Sequence, residues 1–376
     1  MQEELILDDG IVVRKISKEF NKEILEIIRN CPMVSRDLTM YSELGPDAFR
    51  LADLQYDRYD YFGFFLKGNL EGIISLGYYR AYVNGKEETV GELANFFINP
   101  CLRKKRVFAR SSPFVFKEWY ESGNPIYSLV LKGNNPVESL ANANMQNSEY
   151  PMMPRYQYKG AYAVMSILLN FRKKESRVYR VRHATEEDID TMVTILDQDM
   201  RNKLFGLPIT RQNFKKNCRE RPEFGIENYY IAEADGKVKG FCCAWSTMSM
   251  KKNVVKKYSN RFLPIRLIAD LISFTTGSPK LPGPGAAFST VYITDYYCEN
   301  NNPEIMEALL RKVYNEWLAK RYNLMIFAAP EGNSLLKAVR SFTHQKISTH
   351  LLIGTKDEKV LDTIDCRSPY FDMALV

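Results

Sequence analysis

The sequence repeats itself. Residues 13–17 (VRKIS) return as residues 181–185 (VRHAT), an offset of 168 (181 − 13), and residues 68–72 (GNLEG) return at the same offset as 236–240 (GKVKG). Two later pairs match at an offset of 198: Glu118-Trp119 with Glu316-Trp317, and Asn135 with Asn333. Such repetition constrains the fold more than any local motif, because each copy must form the same packed elements. We therefore expect one fold present twice, with about 30 extra residues in the second copy (198 − 168).

The length of the chain agrees with two domains. At 376 residues it exceeds what one ordinary hydrophobic core supports, whereas each half has the usual size of a domain. We predict an N-terminal domain at residues 1–172 and a C-terminal domain at 177–376, with an insertion at about 250–285. The 45% hydrophobic and 26% charged residues are typical of a folded, soluble chain.

Composition argues against several classes of protein. The first residues (MQEE) carry no signal-peptide pattern and no apolar run approaches the roughly 20 residues of a membrane span, so we expect a cytoplasmic protein without such a span. Seven cysteines without framework spacing and three histidines favour reduced thiols and no metal site. The net charge of +7 is moderate for this length, so nucleic acid is not an expected partner.

Hydrophobic periodicity predicts the same order of elements in both copies. In the first copy the predicted strands are 11–16, 59–66, 70–79, 90–98, 126–131 and 156–169, and the predicted helices are 21–29 and 106–122. In the second copy the strands are 179–183, 229–234, 237–245, 290–297, 324–329 and 348–353, with helices beginning near 185, 303 and 333. A meander followed by a β-α-β crossover predicts a mixed α/β sheet with helices on both faces.

The insertion carries two further patterns. Its apolar residues between 262 and 272 have helical spacing, so we expect a helix packed between the copies; a lid over a substrate groove and a helix on a membrane surface are the alternatives. Its lysines at 251, 252, 256 and 257, like the basic residues at 172–174, are expected to form a solvated face.

Residues 181–188 (VRHATEED) and the hairpin with Gly236 and Gly240 resemble a known family. The first is typical of how domains of the GNAT superfamily of acyl-CoA N-acyltransferases begin, and the hairpin is similar to their second and third strands. The chain thus resembles two GNAT-like domains in tandem. The resemblance implies a fold of the α/β class (α+β, with a mixed sheet). It also implies acetyl-CoA or another acyl-CoA as cofactor and a small-molecule or peptide amine as acceptor.

The family's most specific motif is Arg/Gln-x-x-Gly-x-Gly/Ala, a loop after the fourth strand whose main-chain amides hold the CoA pyrophosphate. Residues 99–109 (NPCLRKKRVFA) match its position. The resemblance assigns cofactor binding to this stretch, its preceding strand and one downstream cap: Ile98, Arg103, Lys104, Lys105, Arg106, Val107, Phe108, Ala109 and Asn135.

This loop lacks the small residues of the motif, which are replaced by Lys104, Arg106 and Phe108. Their side chains either obstruct the close approach that glycine permits, or the cations compensate by pairing with phosphates. At the offset of 198, the second copy has Asn301 and Glu304 in place of Arg103 and Arg106. A carboxylate in the first turn of a helix repels phosphate, so we expect the second copy to be the poorer CoA binder.

Glu92 is the candidate catalytic base. Several family members carry a Glu on the fourth strand, eleven residues before the residue that opens the loop, and Glu92 has this spacing to Arg103. A carboxylate beside aromatic residues in a cleft has a raised pKa and accepts a proton from an amine; the alternative is an exposed charge paired with a lysine. The second copy has Thr290 at the offset of 198, which cannot act as a base.

The family's usual acid, a Tyr on the helix after the fifth strand, is absent from residues 141–142, where the resemblance would place it. Tyr150, Tyr156 and Tyr158 remain candidates, or the thiolate leaves without a dedicated acid. The leading interpretation is an N-acyltransferase that moves an acyl group, acetyl in the first instance, from acyl-CoA to an amine, with the first copy binding CoA. The alternatives are a catalytically degenerate tandem GNAT protein that binds a ligand or a protein, and an aminoacyl-tRNA-dependent transferase.

Overall fold

The computed structural model describes residues 4–134, 152–276, 278–365 and 368–376. The strands in chain order are β1 (Glu4–Ile6), β2 (Ile11–Ile16), β3 (Met33–Val34), β4 (Leu38–Leu44), β5 (Arg58–Leu66), β6 (Asn69–Val83), β7 (Lys86–Ile98), β8 (Ile126–Leu131), β9 (Arg155–Leu168), β10 (Arg180–His183), β11 (Tyr229–Ala234), β12 (Lys237–Trp245), β13 (Lys251–Tyr258), β14 (Ala287–Phe288), β15 (Thr290–Cys298), β16 (Leu324–Pro330) and β17 (His344–Thr355). The helices are α1 (Asn21–Asn30), α2 (Arg50–Gln55), α3 (Val107–Val115), α4 (Lys117–Ser122), α5 (Ile189–Arg201), α6 (Arg211–Glu220), α7 (Leu263–Thr276), α8 (Pro303–Ala319) and α9 (Glu358–Thr363).

Thirteen of these strands form one sheet, in the order β1-β2-β5-β6-β7-β8-β17-β9-β16-β15-β12-β11-β10. The pairs β7/β8 and β15/β16 are parallel, and the other described neighbours in this sheet are antiparallel. Each parallel pair is joined by helices, as a β-α-β crossover requires. The prediction of a mixed sheet is confirmed.

Strand β12 shows why the sheet carries helices on both faces. Successive side chains of a strand point to opposite faces. Cys242 and Ala244 pack in the cluster that contains residues of α8, whereas Cys243 and Trp245 pack in the cluster that contains residues of α5. Because both faces are covered there, the strand carries no polar side chain from Gly240 to Trp245 and does not alternate.

Strands from both ends of the chain meet at the centre of the sheet. Strand β17 lies between β8 and β9, and β9 pairs on its other edge with β16 over residues 162–168 and 324–330. The predicted boundary at 172–177 falls in the connection from β9 to β10, and the sheet continues across it. The division into two domains therefore stays a prediction, because β9 has both of its partners beyond the boundary.

The predicted helix at 106–122 is two helices. Helix α3 ends at Val115, Phe116 has non-helical dihedral angles, and α4 begins at Lys117. Pro113 lies inside α3, where it lacks an N–H and its ring crowds the carbonyl four residues earlier. Gly123 follows α4 in the left-handed conformation, which is common at the carboxyl ends of helices and is usually adopted there by glycine.

The insertion joins a second, four-stranded sheet that the sequence analysis did not predict. Its order is β14-β13-β4-β3, and β13 from the insertion pairs antiparallel with β4 from the N-terminal region. Helix α7 follows β13, so a helix is present where it was expected. Among the described residues, no helix has the length and apolar character needed to cross a membrane.

Candidate active site

A groove opens where β7 and β8 separate. The two strands pair at Gly91 with Ile126 and at Glu92 with Tyr127, and their recorded pairing ends there. Residues 93–98 of β7 are half-exposed although β7 is an inner strand of the sheet. The Ser128 hydroxyl donates to the Leu93 carbonyl over 3.1 Å and bridges the start of the gap. The groove therefore begins directly after Glu92.

Strand β7 has a bulge at Asn95, whose φ is 54°. Its amide Nδ2 donates to the Ser75 hydroxyl over 3.0 Å and to the Tyr61 hydroxyl over 3.2 Å, and these bonds hold the bulge in place. Strand β15 has a bulge of the same kind at Asp295, with φ 45°. Aligning the bulges gives an offset of 200 (295 − 95). At this offset the second-copy residue equivalent to Glu92 is Tyr292 rather than Thr290. The expected equivalence with Thr290 is wrong by two residues, and neither residue is a carboxylate.

Glu92 is buried, with 3% of its surface exposed. Its Oε2 accepts hydrogen bonds from Gln55 Nε2 (2.7 Å), the Tyr127 hydroxyl (2.7 Å) and the Tyr56 hydroxyl (3.1 Å). The Tyr127 oxygen also lies 2.8 Å from that of Tyr79, so Tyr79 is placed to donate to it. Glu92 is thus not the exposed, lysine-paired charge that the alternative described. Among the described residues, every hydrogen bond that Glu92 accepts is made to Oε2, so Oε1 remains available as a hydrogen-bond acceptor.

Burial raises the pKa of Glu92, and the hydrogen bonds from Tyr127 and Tyr56 lower it in part. Burial also raises the pKa of each of the three tyrosines, so their hydroxyls stay protonated and donate. A carboxylate with a raised pKa holds a proton more strongly once it has accepted one. The environment of Glu92 therefore suits a proton acceptor.

Glu92 lines a cavity of about 210 Å³. Gln55 at the end of α2, Tyr56 directly after it and Asn95 of β7 form one part of its wall, and Lys251 of β13 forms another. Desolvation lowers the pKa of Lys251 to about 8, and its Nζ donates to the main-chain oxygen of Val376. Lys251 is therefore a cavity residue, and its assignment to a solvated face is wrong.

Segment 368–376 supplies a further part of the wall through Leu375 and Val376. It is held by a buried ion pair, in which Arg221 Nη1 lies 3.2 Å from Asp372 Oδ2, with 5% and 6% of the two side chains exposed. The guanidinium lies over the rings of Phe224 and Trp245, 5.1 Å from each centroid. The cavity thus depends on the packing of a segment far from Glu92 in sequence.

The loop after β7 carries the predicted cations. A short 3-10 turn at Pro100–Leu102 leads to Lys104 and Arg106, whose φ angles of 68° and 50° are left-handed, and α3 begins at Val107. A left-handed residue other than glycine costs about 1–2 kcal/mol. The loop therefore adopts at Arg106, without a glycine, the backbone conformation that glycine favours.

The four cations of the loop differ in their surroundings. Three of them are exposed: Arg103, Lys104 and Arg106. The fourth, Lys105, forms an ion pair in which its Nζ lies 3.4 Å from Asp9 Oδ2. Within the described residues no side chain caps the amino end of α3, whose first amides have no partners within the helix. Unpaired amides, a helix dipole and three exposed cations together make a favourable place for an anion.

The remaining predicted contacts have their side chains elsewhere. Val107, Phe108 and Ala109 are buried, and Phe108 packs against Phe96 and Phe116 with ring centroids 5.4 and 5.7 Å apart. Of the two alternatives for this loop, obstruction by the Phe108 side chain is wrong, because the ring points into the core. The carbonyl of Ile98 accepts a hydrogen bond from the Cys31 thiol over 3.4 Å.

Several candidates lie away from the cavity or outside the described residues. Asn135, residues 141–142 and Tyr150 fall outside them. Tyr156 belongs to the hydrophobic core, and Tyr158 is exposed beside His350, so neither lines the cavity. Residues 4–134, 152–276, 278–365 and 368–376 contain no group of three or more His, Cys, Asp and Glu residues that could hold a metal ion.

The corresponding loop after β15 is built differently. Asn300 and Asn301 are left-handed, with φ of 55° and 49°, and α8 begins at Pro303. The Asn302 side chain accepts a hydrogen bond from the Glu304 amide over 2.9 Å, so the protein caps this helix itself. With an internal cap and a carboxylate in the first turn, this helix end is less favourable for an anion.

Sequence reasoning missed Gln55, Tyr56, Tyr127 and Lys251. Tyr127 could have been found from the parallel pairing of β7 with β8, because that register places it beside Glu92. No motif or spacing signals the other three, since they reach the cavity through α2 and through the β4–β13 pairing.

Comparison with known proteins identifies this architecture. No family model matches the sequence, and no curated protein matches it. Among solved structures, N-myristoyltransferase from Saccharomyces cerevisiae with bound myristoyl-CoA matches with a TM-score of 0.58 at 12% identity, over 94% of this chain and 85% of that one. The chain has an N-acyltransferase fold.

Two bacterial structures agree with this assignment of the fold. A GCN5-related N-acetyltransferase from Sphaerobacter thermophilus matches with a TM-score of 0.58 at 10% identity, over 94% of this chain and 97% of that one. Another from Anabaena variabilis has a TM-score of 0.50 at 10% identity, over 93% of this chain and 73% of that one. Likeness at such low identity establishes the fold and leaves the reaction to be argued from the site.

Proposed function

We propose that this protein is an acyl-CoA-dependent N-acyltransferase. The observation that carries the proposal is the separation of β7 from β8, which puts a buried carboxylate at one end of a groove and a cationic loop at the other. Ile98 lies six positions after Glu92, which is about 20 Å of strand at ~3.3 Å per residue. An extended acyl-CoA needs such a groove between its pyrophosphate and its thioester. Acetyl-CoA or a longer acyl-CoA is the donor in this proposal.

The loop supports binding of the pyrophosphate. Arg103, Lys104 and Arg106 are exposed around the uncapped amino end of α3, and charge-assisted hydrogen bonds to phosphate are about twice as strong as neutral ones. The helix after β15 has its own cap and Glu304 in the first turn. Because only the first of these helix ends is cationic and uncapped, residues 1–172 bind the donor in this proposal, and residues 177–376 complete the acceptor site.

Glu92 supports the chemical step. In this proposal Glu92 accepts one proton from the acceptor ammonium, directly or through a water molecule, so that the amine becomes neutral. The nitrogen then attacks the thioester carbonyl carbon, the C–S bond breaks, and the second amine proton goes to the departing thiolate. Tyr56 and Tyr127 position the carboxylate through its Oε2. Transfer of a proton by such a positioned group contributes about 10²–10⁴-fold to the rate.

The cavity supports a small or peptidic primary amine as acceptor. It holds Glu92 beside apolar residues and Lys251, and a lysine with a pKa of about 8 is mostly cationic at neutral pH. A nearby positive charge disfavours the protonated form of an incoming amine. The names of the solved N-myristoyl- and N-acetyltransferases describe acyl transfer to nitrogen, which agrees with this choice. A cytoplasmic location stays part of the proposal.

Calorimetry with acetyl-CoA and myristoyl-CoA tests donor binding. We expect the wild type to bind one of them and Arg103→Ala/Arg106→Ala to bind at least about tenfold more weakly, because two charge-assisted contacts are lost. The matched control is Arg172→Ala/Lys174→Ala, which removes two exposed cations from the connection between β9 and β10 and should leave affinity unchanged.

The results separate the proposal from its alternative. No heat with either donor overturns the enzyme proposal, and equal affinity in the loop variant removes the loop as the pyrophosphate site. Release of free thiol in the presence of peptides with free amino groups supports catalysis. Binding without turnover across such acceptors favours a ligand-binding protein that has lost its activity.

A further inference from the structure

Helix α7 presents five large apolar side chains to solvent. Leu267 is 71% exposed and Phe274 is 82% exposed, the latter the most exposed large hydrophobic side chain among the described residues. Three more residues of the helix belong to the same exposed set: Leu263, Ile268 and Leu271. Spacings of four, four and three residues from 263 through 267 and 271 to 274 place most of this set along one side of the helix.

The polar residues of α7 point the other way. Arg266 and Asp270 are half-buried and Ser273 is buried, with its hydroxyl donating to the Ser278 carbonyl. The Arg266 guanidinium lies over the Tyr258 ring, 5.3 Å from its centroid. A surface helix normally turns its apolar stripe to the core and its polar residues to water. The described side chains of this helix do the reverse, so its outer face is suited to an apolar environment outside the protein.

The segment around α7 carries most of the net charge of the chain. Residues 251–285 contain seven basic residues and one acidic residue, a net charge of +6, against +7 for all 376 residues. Five of the basic residues are exposed on the strand that leads to the helix or next to its two ends: Lys252, Lys256, Lys257, Arg261 and Lys280. An apolar face flanked by cations matches a surface that is apolar inside and anionic outside.

We propose that α7 lies on an anionic lipid bilayer. Its exposed residues insert at the boundary between headgroups and acyl chains, and the flanking cations pair with anionic headgroups. A second copy of the chain would bring another +6 segment against the first, which like charges oppose. Charge therefore favours the bilayer over self-association.

Flotation with lipid vesicles tests the proposal. The full chain is mixed with vesicles of phosphatidylcholine alone or with about 30% phosphatidylserine, and we expect at least ~10-fold tighter binding to the second. Leu267→Ser/Phe274→Ser should lose ~10-fold or more of that binding, because two large apolar side chains no longer insert. Lys256→Gln/Lys257→Gln should lose about tenfold, and high salt should act in the same direction.

The matched control is Ile6→Ser/Val178→Ser, since these residues are 63% and 70% exposed but lie outside the basic segment. It should bind vesicles as the wild type does. Absence of wild-type binding to the anionic vesicles overturns the proposal, as does equal binding by Leu267→Ser/Phe274→Ser. A dimer in analytical ultracentrifugation that Leu267→Ser/Phe274→Ser dissociates also overturns it, because a second copy would then cover the face.

Discussion

Breaking the ion pair between Arg221 and Asp372 should release segment 368–376. In Asp372→Asn the guanidinium stays buried without its counter-ion, and such a loss costs about 3–5 kcal/mol. Detachment of the segment rehydrates the guanidinium, so the cost is paid as local opening before the whole protein unfolds. At 1.4 kcal/mol for each factor of ten, 3 kcal/mol corresponds to a more than about 100-fold larger open population.

Hydrogen exchange measures this opening at one amide. The Tyr370 amide donates to the Leu204 carbonyl over 2.9 Å, so its exchange reports whether the segment is attached. We expect Asp372→Asn to speed its exchange by about 100-fold. The acyl-transfer rate should fall in parallel, because Leu375 and Val376 line the cavity of Glu92.

Two further variants make the reasoning refutable. Arg221→Met/Asp372→Leu removes both charges, and apolar replacement of a buried pair is often neutral, so exchange should return close to the wild-type rate. Asp190→Asn is the matched control, because Asp190 pairs with Arg211 at 67% and 53% side-chain exposure and should cost under about 1 kcal/mol. Unchanged Tyr370 exchange in Asp372→Asn refutes the account, and so does a double variant that opens as readily as the single one.

Three further changes test the site. Folding lowers the pKa of Lys251 from 10.5 to about 8, so the folded state binds fewer protons and the free energy of unfolding should rise from pH 8 to 10.5; denaturant titrations should show this rise in the wild type and its loss in Lys251→Met. Glu92→Gln should lower the rate of thiol release by ~10²-fold or more while calorimetric affinity for acyl-CoA stays constant, and an unchanged rate would remove Glu92 as the base. Arg106→Val should lower the free energy of unfolding by about 1–2 kcal/mol, because a β-branched residue is strained at φ 50°, whereas Arg106→Gly should not. Equal thermal stability of Arg106→Val and Arg106→Gly would contradict the assigned backbone conformation.

Periodicity predicted the large sheet well because its strands are long and covered on one or both faces. The second sheet was missed for a physical reason. Strand β4 has no clean alternation, and its partner β13 lies more than 200 residues away, so only tertiary structure pairs them. Lys251 was assigned wrongly for the same reason. A lysine in a basic run predicts a solvated surface unless its strand is known to line a cavity.

In the site, the spacing between residues in the sequence predicted some positions correctly and others wrongly. Glu92 was reached from its spacing to Arg103, and that assignment stays a prediction about catalysis. The bulges at Asn95 and Asp295 leave no sequence signal, and only their alignment in the structure identifies Tyr292 rather than Thr290 as the second-copy equivalent of Glu92. Phe108 was misjudged because a motif gives a position in the chain, whereas side-chain direction in the first turn of a helix depends on which face is packed.

The exchange of strands at the centre of the sheet bears on how the chain is synthesised. Strand β9 ends at Leu168, and β17 begins at His344, 176 residues later (344 − 168). At 5–20 residues per second, β9 therefore waits roughly 10 to 35 s on the ribosome before both of its neighbours exist. A strand with two unpaired edges is a template for association with other chains. The nascent chain, rather than the finished protein, is thus the stage at which aggregation threatens and at which a chaperone would act.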